Sequence, residues 1–267
     1  GRVFFTKCTD VNSDGIWLDG VNDLATISSN TIGFNKNNGI SISQLSNSTI
    51  SNNNVTYNER NGISGDQADN LLIENNTVSN QGFTAINFNL SITNSEILNN
   101  VVDNNGEHGI IMGPGNNNSA ENNTVTNTAV TAIIVRSDNS TVNNNRIISN
   151  GGGIVSESNS NTTIRGNVVG NGTDVGVFIS STINNVVAGN FIGVDNDGQT
   201  VLPNGNSGVV ILGGATPTTG NIVGGTTPAD RNIIANGSRA NVVIFGTGGV
   251  VSENKIIGNY LGVDGTG

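Results

Sequence analysis

The sequence predicts an all-β fold: a right-handed parallel β-helix of about eleven coils, with roughly 22–24 residues per coil. Three observations predict it. One pattern of apolar residue, asparagine and Gly-Ile returns at near-constant spacing. Within each return the apolar residues alternate with period two, which puts one face of a strand inward. Asn and Gly fill the gaps, where the backbone must adopt positive φ.

Taken in order, a first coil opens near Val3, with Cys8 in a core slot and Gly15-Ile16 starting the next strand. The clearest coil starts at Ile27 and continues through Asn30, Ile32, Asn35 and Gly39-Ile40. The same steps from Ile50 give Asn53, Val55, Asn58 and Gly62-Ile63. Further starts fall at Ile73, Ile97, Ala120, Val142, Ile164 and Val187, then with looser spacing near Val223 and Ile256. Strands of period two are expected at Ile40/Ile42, Ile110/Met112, Ile133/Val135, Val177/Ile179, Val209/Ile211 and Val242/Ile244. Aliphatic and β-branched residues dominate these slots, as strands prefer. No segment holds a helical period over ten or more residues.

The third residue after each start is asparagine in eight successive coils: Asn30, Asn53, Asn76, Asn100, Asn123, Asn145, Asn167 and Asn190. An amide both donates and accepts. Stacked at a strand spacing of about 4.8 Å, each can bond the next, so a structural ladder is expected in this turn. Asn232 and Asn259 stand in the same register of the later coils.

We read one domain over residues 1–267, with tight coils over 1–193 and loop insertions within 194–267. The insertions, 194–207 and 224–231, hold or border Pro203, Pro217 and Pro228. Charged residues are 11%, against about 25% in ordinary domains. The net charge of −10 argues against nucleic acid as a partner. No apolar run is long enough for a membrane span. Cys8 is the single cysteine, so no disulfide forms within the chain. The sparse charge and the Ser, Thr, Asn and Gly richness suit an extracellular or cell-surface protein. The chain opens at Gly1-Arg2-Val3 already within a coil, with no capping helix, and closes at Asp264-Gly265-Thr266-Gly267. The coil ends are therefore expected to meet a partner, either another copy stacked end to end or flanking domains of a longer chain.

The repeated G-I-x-I and N-x-I-x-x-N-x-I steps resemble the right-handed parallel β-helix repeat superfamily, with its pectin-lyase-like fold and NosD-type repeats. The resemblance covers nearly the whole chain. The segment Gly189 to Gly205, with Gly258 to Gly267 closing the chain, is similar to repeats of large secreted bacterial β-helix surface proteins. The resemblance implies the fold and leaves function open, because the superfamily includes lyases, hydrolases, epimerases, adhesins and phage tailspikes.

Residues for chemistry are few. No epimerase-like Y-G-x-D-P-H-D run is present, and no adjacent Asp pair sits on a strand. Glu107-His108-Gly109 is a shadow of the G-H-G of galacturonases, and the repeat alone accounts for its glycine. The best polar constellation is Glu59 and Arg60 with Glu107 and His108, two coils apart on one turn with Phe83 between them. Carboxylates so placed can do acid/base work on a sugar. Arg136 and Glu157 read as a surface ion pair on neighbouring coils. For calcium, Asp10, Asn12 and Asp14 open a D-x-N-x-D-G loop, but its twelfth position is Val21 rather than a carboxylate. Asp195 and Asp197 form a second acidic turn. No cofactor is expected beyond this possible Ca2+. The composition favours an extracellular structural rod, filament subunit or adhesin stalk without catalysis. The alternative is a polysaccharide-binding or polysaccharide-degrading module. An aromatic and carboxylate groove on one sheet face marks the second; a smooth Ser/Thr/Asn surface marks the first.

Overall fold

The computed structural model describes residues 13–20, 24–214, 216–246, 249–263 and 265. The coil near Val3, with Cys8, Asp10 and Asn12, lies outside the described residues.

The chain winds as a parallel solenoid of about ten turns. Three long sheets run along it. Sheet one has ten strands, from Ile16–Asp19 to Ala240–Phe245. Sheet two has twelve strands, among them Thr26–Ser28 and Lys255–Ile257. Sheet three has ten, from Thr31–Gly33 to Tyr260–Leu261. The one helix among the described residues is a short 3-10 turn, Pro228–Asp230, in the second insertion.

Register follows the repeat. The coil starts stack as Ile27, Ile50, Ile73, Ile97, Ala120, Val142, Ile164, Val187, Val223 and Ile256 in sheet two. In sheet one the inward column is Ile16, Ile40, Ile63, Ile86, Ile110, Ile133, Ile154, Val177, Val209 and Val242. These aliphatic columns fill a narrow core in which the largest fully buried side chain is Phe88. Like stacks on like because parallel in-register strands repeat every coil at the same face.

The turns between sheets two and three are closed by amides. Each of Asn53, Asn76, Asn100 and Asn123 sends its backbone N–H and its Nδ2–H to the Oδ1 of the next coil's asparagine, at 2.9–3.0 Å. The same Nδ2 also donates to a strand carbonyl, as from Asn123 to Ile97 at 2.8 Å. The chain of bonds continues through Asn145, Asn167 and Asn190 to Asn232 and Asn259. Asn123 is 1% exposed, so these bonds are made away from water.

The two insertions fold back onto earlier turns. Asp195 takes both guanidinium nitrogens of Arg146, at 2.7 and 2.9 Å. Asp230 accepts from Arg165 at 3.0 Å, and Arg231 lies 4.2 Å over the Tyr260 ring. The last strand of sheet one leaves Ile244 and Phe245 about half exposed.

Candidate functional site

Sheet one turns one row of side chains outward between the inward columns. Its register reads Trp17, Ser41, Ser64, Asn87, Ile111, Ile134, Val155, Phe178, Val210 and Val243. After Trp17 the row is polar from Ser41 to Asn87 and apolar from Ile111 onward. Ile134 faces outward yet is only 4% exposed, and it lies on the floor of a cavity of about 790 Å³. Val155, Phe178, Val210 and Val243 continue that floor.

Two rims enclose it. One follows the corner ahead of the strands, where Val130 donates its N–H to Glu107 O at 2.9 Å. Along the same corner Asn206 donates its N–H to Asp174 O at 3.3 Å, and Arg239 donates to Asn206 O at 2.9 Å. Val130, Asp174, Asn206 and Arg239 all line the cavity. The Asn206 amide also donates to Asp174 Oδ1 at 3.0 Å. The other rim is the far end of the strands, where Glu157, Ser180, Leu212 and Phe245 stand in register. Glu157, Leu212 and Phe245 reach the cavity.

Polar groups flank the early end of this groove on both sides, Glu107 and His108 at the corner ahead of the strands and Arg136 and Glu157 at their far end. Arg136 donates to Glu157 Oε1 through Nε, at 2.7 Å, and through Nη2, at 2.7 Å, and its Nη1 bonds Asn89 Oδ1. His108 Nδ1 accepts the N–H of Thr131, a lining residue, at 3.3 Å. That bond leaves the proton of a neutral imidazole on Nε2. Burial lowers the His108 pKa below its ordinary 6.5, against the opposing pull of the Glu107 charge; Arg136 also lowers it and Glu157 raises it. Asn87 Oδ1, in the outward row one coil ahead of Ile111, is buried without a hydrogen-bond partner. An imidazole beside one rim can move a proton, and an ion-paired carboxylate on the other can hold a hydroxyl.

The residues singled out in the sequence divide. Arg60, Phe83 and Glu107 stack on one corner: Phe83 N–H donates to Arg60 O and Glu107 N–H to Phe83 O, each at 3.1 Å. Glu59 and Arg60 nevertheless stand outside the cavity lining, and the Glu59 carboxylate pairs with Lys36. Glu107 and His108 stand outside it too, although His108 bonds the lining residue Thr131. Of the acidic turns, Asp14 accepts the N–H of Asn38 at 2.8 Å. Asp195 is held by Arg146, whose bond lowers its pKa. Asp197 caps its own turn, bonding Thr200 first and Gln199 next, and these bonds lower its pKa. Among the described residues no three His, Cys, Asp or Glu side chains gather as for a metal.

The sequence reading missed Phe178, Leu212, Phe245, Asp174 and Arg239. A signal was present. Early strands read I-S-I-S, whereas Ile110–Met112, Val177–Ser180 and Ser207–Leu212 carry apolar residues at outward positions too.

Comparison with known proteins adds to this geometry. A family model described as "Right handed beta helix region" matches residues 2–139 and 46–192. No curated protein matches the sequence. Among solved structures, the Azotobacter vinelandii mannuronan C-5 epimerase AlgE6 A-module is similar at 14% identity and a TM-score of 0.56, over 91% of this chain and 80% of that one. The periplasmic alginate epimerase AlgG is similar at 15% identity and a TM-score of 0.58, over 88% of this chain and 51% of that one. The GH136 lacto-N-biosidase from Eubacterium ramulus is similar at 10% identity and a TM-score of 0.57, over 94% of this chain and 60% of that one. Likeness at these identities concerns the fold. The expectation of a plain rod, filament subunit or adhesin stalk without catalysis is corrected here: these three solved structures are carbohydrate enzymes by name, and one face of this solenoid is a groove with aromatic rings and carboxylates.

Proposed function

The chain belongs to the right-handed β-helix family, and from that premise we propose that it is a polysaccharide-active module. It holds an extended glycan along the outer face of sheet one. The carrying observation is the groove of about 790 Å³, apolar on its floor and charged on its rims. A pyranose ring presents C–H groups on its faces and hydroxyls around its edge. The floor from Ile134 to Val243 suits the faces, with Phe178 the one ring on it. Glu157, Asp174, Asn206 and Arg239 on the rims suit the hydroxyls. Proton transfer on the bound chain falls to His108 beside one rim, with Nε2–H as donor, while Glu157, held by Arg136, faces the glycan from the other. The sparse charge and the polar surface support action outside the cytoplasm.

Affinity electrophoresis against a panel of neutral and acidic polysaccharides tests the reading, with product analysis of each mixture. At least one polysaccharide is expected to retard the protein, and Phe178→Ala to weaken that retardation about tenfold or more, since a stacked sugar ring contributes on the order of 1–2 kcal/mol. A panel that neither retards the protein nor changes in its presence refutes it.

A further inference from the structure

One corner of the solenoid breaks its own rule in two adjacent turns. The residue just after each sheet-three strand adopts left-handed backbone. It is Asn80, Asn104, Asn127, Ser149 and Asn171 in five successive turns, at φ of 53–61°. Asparagine suits that conformation, because its short polar side chain bonds locally. In the two turns before these the same place holds Phe34 at φ 60° and Tyr57 at φ 56°. Bulky residues are outliers there, and such strain collects at functional sites.

Their rings do not recover the strain by burial. Phe34 is 68% exposed and Tyr57 52%. They stack on each other instead, with centroids 5.2 Å apart and planes 9° from parallel. That separation is near the spacing of adjacent turns, so the ring planes stand across the solenoid axis. Tyr57 therefore turns its second face toward the next turn, where Asn80 is too short to cover it. The Asn80 amide is held in place: its Nδ2 bonds Ser79 Oγ at 3.1 Å, and its Oδ1 accepts from Asn104 Nδ2 at 2.7 Å. Two residues beyond the rings, Lys36 and Glu59 neutralise each other.

We propose that the Phe34/Tyr57 ledge is a carbohydrate-binding site separate from the groove. It takes a neutral β-1,4-linked glycan whose hydroxyls are equatorial. Such a ring offers an unbroken C–H face to Tyr57 and its edge hydroxyls to the shelf of amides. A polyuronate is disfavoured, because the chain carries a net −10 and the nearby cation Lys36 is paired. The site stands on the ring geometry and does not rest on the groove.

The test uses the full chain and cellohexaose, followed by NMR. The chain has two tyrosines, so the Tyr57 ring signals are readily assigned. Cellohexaose is expected to shift the Tyr57 ring signals, and hexagalacturonate to leave them in place. The double variant Phe34→Asn/Tyr57→Asn restores the residue used in the following turns. It is expected to melt at the same temperature or higher while losing cellohexaose affinity at least tenfold at this site. Phe178→Ala, in the groove, is expected to keep the Tyr57 shifts. Unmoved ring signals at millimolar cellohexaose overturn the proposal, as does a folded double variant with undiminished affinity. If the double variant melts lower, the ring shifts of the unmodified protein decide alone. Loss of the Tyr57 shifts in Phe178→Ala also overturns it, since the ledge is then no separate site.

Discussion

Two halves of sheet one share a backbone and differ on their outer face. Behind both runs the same inward column, Ile40, Ile63 and Ile86 in one half and Ile110, Ile133 and Ile154 in the other. In front, the early half shows Ser41, Ser64 and Asn87, while the later half shows Ile111, Ile134, Val155 and Phe178. The inner face is constrained by the core, so it repeats. The outer face is constrained by nothing in the coil, so it is free to change from a plain surface to a lined groove. In a solenoid, the departure from monotony on the outer face is the place to look for function.

The sharpest test of that division substitutes two consecutive residues. Ile154 points in and Val155 points out. Ile154→Ala is expected to destabilise the fold by about 2–5 kcal/mol, the usual range for emptying a close-packed site. Val155→Ser is expected to cost less than about 1 kcal/mol and to weaken glycan binding. Denaturant melts of both variants check this, and equal losses break the comparison.

Next in size is the amide ladder, which the two halves share. Asn123→Ala deprives Asn100 of the Oδ1 that accepts both its backbone N–H and its Nδ2–H. It also takes one of two donors from Asn145 Oδ1, the Nδ2–H, and leaves the backbone N–H of residue 123 in place. A loss of about 1–3 kcal/mol is expected from stranding buried polar groups. A melting curve unchanged by the substitution counts against the ladder as a source of stability.

The smallest effect concerns His108, near the boundary between the halves. Burial holds its folded pKa below 6.5, so the unfolded chain takes up the proton first as pH falls. The stability tied to its neutral form is complete above pH 6.5 and is lost as pH drops from there through the folded value. The charged groups that act on it are Glu107, Arg136 and Glu157. His108→Gln is expected to flatten the fall in melting temperature between about pH 6.5 and pH 5. Parallel profiles for the two proteins would show that burial of the imidazole does not reach stability.

Much of the fold was legible because a solenoid is nearly one-dimensional. Each coil contacts its neighbours at a fixed sequence distance, so spacing alone placed Ile27, Ile50 and Ile73 in one column and Asn30, Asn53 and Asn76 in one ladder. The site was less legible. Reading polar residues by their register in the coil grouped Glu59 and Arg60 with Glu107 and His108. The structure stacks Arg60, Phe83 and Glu107 on one corner but pairs Glu59 with Lys36, and His108 accepts from Thr131 of the next coil. His108 stands level with Thr131 at one end of a strand and Arg136 follows Val135 at the other, so the two flank the sheet from opposite sides.

The sequence by itself determined the coil, its period, its inward columns and its asparagine register. All of these follow from a repeat in which every position has one environment. Tertiary structure decided the rest. Whether an outward Ile134 lies on open surface or on a groove floor depends on how far the corners on either side rise, and the loops that build those corners follow no period. Whether a carboxylate is free for chemistry depends on which cation the winding delivers to it, as Arg146 is delivered to Asp195 two turns away and Lys36 to Glu59 in the next. Such pairings link residues about 23 or 49 positions apart, and their side-chain reach, unlike the backbone register, is not repeated from coil to coil.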